Sequence, residues 1–197
     1  MIEQIKISKM SGKLSGIGAI NTDTTTNEFC IRQKDTDTIC GKCYSHKMLS
    51  TYRKSCVPAF QHNSRVLSES VIPMDELPVI NAAYTRYSGH GELINLIHFI
   101  NLVNIAIKNP HGTFALWTKR ISIVRQFKGE IPDNLILVFS NPAIDNVIGV
   151  PRGFHKVFNN VSPDSDTKQN CTGKKCMDCL LCYRKDSGTN VIIEAVK

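Results

Sequence analysis

Long apolar runs are missing from this 197-residue chain. The richest stretch, Leu93 to Ile107, is broken by Asn95, His98, Asn101 and Asn104 and is too short to span a bilayer. The first residues, Met1 to Lys6, hold no apolar h-region and no small-residue cleavage site, so no secretory signal is expected. Internal repeats and low-complexity tracts are absent too. No G-x-S-x-G, P-loop, dinucleotide-binding glycine set or HExxH occurs. The best-marked routes to nucleophilic, nucleotide-dependent and zinc-protease chemistry are therefore excluded. The net charge of +7 comes without a nucleic-acid motif or a basic amphipathic helix, so nucleic acid is the lesser reading of that charge.

What remains is ordinary in bulk and unusual in one residue type. Hydrophobic content of 42% and charged content of 21% fit a globular protein of one domain, residues 1–197, large enough to bury a core without disulfide staples. Yet the chain holds eight cysteines. Four lie in one stretch, Cys171, Cys176, Cys179 and Cys182, spaced C-x4-C-x2-C-x2-C. A shorter pair, Cys40 and Cys43, lies far upstream, flanked by Cys30 and Cys56. The expected compartment is the reducing cytoplasm, where CxxC pairs bind metal or do redox work. Lys168, Lys174, Lys175, Arg184 and Lys185 surround the later cluster, and cations there lower thiol pKa and offset the charge of a metal–thiolate centre.

Two metal centres compete. The rhythm of Cys176, Cys179 and Cys182 suits an iron–sulfur cubane. Eight thiols allow two [4Fe–4S] clusters, on Cys30, Cys40, Cys43 and Cys56 and on Cys171, Cys176, Cys179 and Cys182. Structural zinc needs only two CxxC pairs and leaves the other thiols unexplained. The x3-x2 cysteine triplet of radical S-adenosylmethionine enzymes is not present. Some thiols can also be plain core residues, a reading that suits Cys56 best and Cys30 next.

The coarse pattern predicts α/β architecture. Strands are expected at Gln4–Ser8, Val79–Tyr87, Thr113–Trp117, Asn134–Ser140, Lys156–Val161 and Asn190–Val196. Helices are expected over Tyr44–Lys54, Pro58–Ser70, Glu92–Lys108 and Lys119–Lys128, with a turn or short helix over Ala143–Ile148. The alternation implies a mostly parallel sheet, closer to a partial or irregular (β/α) barrel than to a complete one, with metal-binding loops at about 30–56 and 171–182 on the C-terminal edge of the strands. That edge also collects Arg86, Ser88, His90, Lys119 and Ser140 as candidate substrate-binding residues.

Cys40-Gly-Lys-Cys43-Tyr44, Arg86-Tyr-Ser88-Gly89, Phe114-Ala-Leu-Trp117-Thr118-Lys119, the strand ending in Ser140 and the closing C-x4-C-x2-C-x2-C-Tyr resemble the phage gene-product-88-like proteins across residues 10–185. That family's Gly-Asp after the strand is here Gly91-Glu92, displaced by His90. The resemblance implies a phage or prophage origin, hence the host cytoplasm, and a metal-binding fold; it supplies no activity. The expected function is a phage-type iron–sulfur protein serving redox or cluster-dependent chemistry on a small molecule, or with a redox partner. The alternative is a zinc-stabilised module that binds nucleic acid or a host protein without catalysis.

Overall fold

The computed structural model describes residues 4–196. Across them one seven-stranded sheet runs in sequential order. Strand β1 (Ile7–Lys9) is antiparallel to β2 (Gly18–Ile20). From β2 onward, β3 (Tyr84–Tyr87), β4 (Thr113–Thr118), β5 (Leu135–Ile144), β6 (Lys156–Val161) and β7 (Val191–Ala195) are all parallel neighbours. A parallel sheet whose strands follow chain order resembles the wall of a (β/α) barrel, where right-handed crossovers lie on one face. In this chain the helices Val57–Glu69 and Leu96–Lys108 lie on one face, and the β6–β7 connection crosses the other. Here the sheet stays open at β1 and β7.

Strand β2 is missing from the sequence expectation because Gly18-Ala19-Ile20 is too short to show a period. Its backbone runs close to β3: a Cβ on Gly18 would stand 3.2 Å from Thr85 Oγ1. Instead of a turn or helix from Ala143, β5 continues to Ile144 through a register shift after Ser140.

The central strands are buried on both faces, and alternate residues show what covers each. On one face Phe114, Leu116, Leu135, Leu137 and Val157 pack with Leu67 of α3 (Val57–Glu69) and Phe99, Leu102 and Ala106 of α4 (Leu96–Lys108). On the other, Ala115, Trp117, Ile136 and Val138 meet Ile17 and Tyr183, with Leu14, Met177, Leu180, Cys176 and Cys182 packed against them. Helices cover the first face. Two loops cover the second: the turn Gly12–Leu14 and the cysteine-rich loop. An ion pair from Lys13 Nζ to Glu194 Oε1 at 2.5 Å ties that turn to β7, across the open side of the sheet.

Helix α4 starts at Leu96, four residues later than its apolar pattern suggests, because Asn95 caps it by accepting from the His98 N–H at 2.9 Å. Asn101, which interrupts its apolar stretch, and Asn109, which ends it, are clamps. Asn101 Oδ1 accepts from Ile72 N, and its amide donates to the carbonyls of Leu67 and Ser70. Asn109 holds Ile80 N and the Pro78 carbonyl in the same way. Among the described residues no helix is long and apolar enough to cross a membrane.

Two outcomes are expected of α4. Asn101→Leu strands one buried N–H and two carbonyls, and should lower the unfolding free energy by roughly 2–4 kcal/mol, read as a lower denaturant midpoint at unchanged m-value. Burial pushes the fully enclosed His98 down from 6.5 to about 3. Its neutral Nδ1 accepts from Ile94 N. The folded state thus binds fewer protons than the unfolded one between those values. His98's contribution is complete above pH 6.5 and is lost as pH falls through about 3. Equilibrium unfolding across that window should show a shallower pH slope for His98→Gln.

Candidate metal centres

The loops at the C-terminal ends of the strands fit each other closely. Asn21 Oδ1 accepts from His90 N at 2.9 Å, and the His90 carbonyl accepts from Thr22 N at 3.1 Å. Gly91 has φ 86° and lies so near that a Cβ would stand 2.0 Å from Thr22 Oγ1. Ser88 also has positive φ, 58°, and its N–H bonds to the Ile20 carbonyl. His90 is buried, with Nδ1 2.8 Å from Ser45 Oγ and its ring between Tyr44 and Phe60. Burial, helped by Arg53 and Arg86, lowers it to about 4, so it is a neutral packing group at ordinary pH. Ser88 and His90 thus hold loops together. Glu92 joins two of them: its carboxylate accepts from Leu93 N at 2.8 Å, Thr118 Oγ1 at 2.5 Å and Lys119 N at 2.9 Å. Lys119 Nζ in turn reaches Ser140 Oγ at 3.0 Å, so these two candidates do meet.

Three of the four N-terminal thiols come together beside Lys119. Cys30 lies on α1 (Glu28–Gln33), whose Asn27 cap accepts from Phe29 N and Cys30 N. Cys43 caps α2 (Tyr44–Ser50), and its N–H closes a tight turn onto the Cys40 carbonyl at 3.1 Å. A bond from Ile39 N to the Pro142 carbonyl at 2.9 Å fixes this turn over the end of β5. Cys30, Cys40 and Cys43 line one small cavity of about 30 Å³ with Thr24, Lys34 and His46. Burial is the main cause that raises Cys30 to about 12; Glu92, Cys43 and Cys40 add to it and Lys119 opposes it. Cys56 is not among the lining residues: it ends the short turn Lys54–Cys56 that leads into α3.

The other group is built from the loop after β6. Leaving the C-terminal end of that strand, the chain runs beside β7, where Asn170 N and Cys171 N both donate to the Ile193 carbonyl. It then folds back across the sheet face opposite α3 and α4. Cys176 opens α6 (Cys176–Cys179), Leu180 turns the chain with φ 50°, and Cys182 and Tyr183 enter the core beside Trp117. Burial raises Cys182 to about 12, opposed by Arg86 and reinforced by Cys171, Cys176 and Cys179, so these four thiols share one electrostatic neighbourhood. Arg86 lies on the same face, its guanidinium 4.1 Å from the centre of the Trp117 ring. Its Nε is buried without a hydrogen-bond partner.

All eight cysteines are free thiols. Seven of them thus fall into two groups, one over the strand ends and one against the inner face. Among the described residues no three His, Cys, Asp or Glu side chains are drawn close enough to share a single ion. The donors fit thiolate-seeking metals in kind, and the protons that burial keeps on Cys30 and Cys182 must leave when a metal binds. Sequence reasoning missed His46 and Thr24. The one available signal was the x2 spacing from Cys43 to His46, which repeats that from Cys40 to Cys43.

Glu92→Gln is expected to destabilise the fold by about 1–3 kcal/mol in chemical denaturation, because one amide oxygen cannot satisfy all three donors and its NH2 then faces one of them. No family model, no curated protein and no solved structure matches the chain.

Proposed function

We propose that this chain is a phage-type iron–sulfur protein, with a four-thiolate cluster on Cys171, Cys176, Cys179 and Cys182. The observation that supports this reading is that Cys176 and Cys182 pack against the sheet face opposite α3 and α4, with Arg86 and Lys13 acting on Cys176 and with Cys171 and Cys179 in the same electrostatic neighbourhood. The spacing of the four thiols is that of a cluster loop. When bound, such a cluster supplies one-electron transfer or a Lewis-acidic iron.

The protein's own contribution is electrostatic and steric. Burial raises the Cys176 thiol, Lys13 and Arg86 oppose that shift, and the same two cations would offset the negative charge of a thiolate-bound cluster. Trp117, Tyr183 and Met177 form an apolar wall at Cys176 and Cys182 that keeps water from the sulfurs. Cys179 is the exposed member, which makes it the side from which an electron partner or small molecule reaches the centre. Lys119 and Ser140 lie near the other thiol group and are the better-placed polar pair for an anionic small molecule there.

Anaerobic purification should give a brown protein with a broad visible absorption band and about four iron and about four sulfide per chain. Cys179→Ser should lose most of that iron, whereas Cys56→Ser should keep it. A colourless anaerobic preparation, with zinc in place of iron on these four thiols, would overturn the reading.

A further inference from the structure

The N-terminal thiols invite a separate question, because their expected fourth partner is elsewhere. Cys30, Cys40 and Cys43 surround one cavity and Cys56 does not reach it. The remaining donor in its wall is His46, one turn along α2 from Cys43. Residues three apart on a helix share a side, so the cap residue and His46 present sulfur and imidazole to the same space. Three thiols and an imidazole are a zinc set, and thiolate with imidazole is a combination that favours zinc over harder cations.

Two further observations point to an occupant. The cavity is small, about 30 Å³, and has room for one ion. Thr24 also lines it, 3% exposed, and its hydroxyl is buried without a hydrogen-bond partner. A buried hydroxyl left idle costs free energy, and thiolate sulfurs created by metal binding are acceptors for it. Lys34 in the wall supplies positive charge beside a centre that would carry a net negative one.

We infer that Cys30, Cys40, Cys43 and His46 form a closed Cys3His zinc site, distinct from the C-terminal cluster, with Thr24 as a hydrogen-bond donor to one of its sulfurs. Binding exchanges one Zn2+ for the protons of three thiols, and the neutral imidazole gives its lone pair without losing a proton. The donors close onto the ion by side-chain rotation, since no three of them yet share a single-ion distance. With four protein ligands the site leaves no position for substrate. Its work is to fasten α1, the Cys40 turn and α2 over the strand ends. This inference does not depend on what the C-terminal thiols hold.

The test uses the full chain purified without oxygen, with zinc and iron counted separately and X-ray absorption recorded at the zinc edge, which is blind to iron. One zinc per chain, with three sulfurs and one nitrogen in its shell, is expected. His46→Ala should weaken zinc binding by at least ~10-fold, as outer-shell changes alone already cost that much. His46→Cys should keep the zinc and change its shell to four sulfurs, which guards against a His46→Ala chain that fails to fold. Cys56→Ser should leave zinc content and shell unchanged. A wild-type zinc shell of four sulfurs that is lost in Cys56→Ser, or iron in place of zinc on Cys30, Cys40 and Cys43, would overturn the inference. Zinc retained in a chain that never takes up iron would instead overturn only the cluster reading.

Discussion

A sheet wound in one direction has helices on one face only, and its other face must be covered by something else. In a complete (β/α) barrel the inner face covers itself, because the wall closes and opposite strands fill the centre with their own side chains. Seven strands with an antiparallel β1 leave the wall open. Ala115, Trp117, Ile136 and Val138 would then meet water, at about 25 cal/mol for each Å² of apolar surface exposed. The chain meets this demand with the Gly12–Leu14 turn and the segment from Cys176 to Tyr183. A segment of four-residue helix and turns has little intrinsic stability, so the inner core depends on whatever orders the cysteine loop. In the proposed cluster protein, metal binding and core burial would thus be coupled through the same residues.

The sequence shows the helix-covered half of this design plainly and the other half poorly. The core of β4 (Phe114–Trp117) and the first half of β5 (Leu135–Phe139) are continuous apolar runs, and α4 has a clear apolar stripe, so their type and order can be read directly. Strand β2 has three residues and no side-chain alternation to detect. Its presence is enforced from outside, by its pairing with β3 and by the Thr85 and Ala82 side chains beside Gly18. The path of the cysteine loop is equally hidden. Nothing in Cys171 to Cys182 says that it turns back over the sheet; that follows from the openness of the wall, a property of the whole topology. Polar residues near strand ends illustrate the same limit. Ser88, His90 and Glu92 look like site chemistry in a linear reading, and in space they are bound to Ile20, Asn21, Ser45 and Thr118. Their polarity is spent on joining loops.

The grouping of thiols was legible in part for a related reason. CxxC spacing is a local property, since two residues between cysteines place both sulfurs on one side of a tight turn. Hence the pairing of Cys40 with Cys43 and the run Cys176, Cys179, Cys182 need no tertiary knowledge. Cys30 and Cys56 flank the first pair almost symmetrically in the chain, and only the fold separates them: α1 turns Cys30 inward, whereas Cys56 is carried off by the start of α3. His46 was overlooked because a histidine among cysteines is read as a ligand only when something shows the cavity they share.

Arg86 connects the two halves of the molecule. It sits on β3 with its guanidinium on Trp117, while Tyr44, next to Cys43, and Cys176, Cys182 and Tyr183 act on it from around the inner face. Burial works against its charge, those neighbours favour it, and the balance leaves it raised. Arg86 is half-buried, and its buried Nε has no hydrogen-bond partner among the described residues. An unsatisfied buried donor on a cation is costly, and an acceptor on this face would be its partner. Thiolates held by a metal on Cys176 and Cys182 would be that partner. In the proposed cluster protein, stability would then depend on metal occupancy through Arg86 as well as through loop order. On that proposal the arginine on β3 and the thiols of the last loop would complete each other only when those thiols have lost their protons.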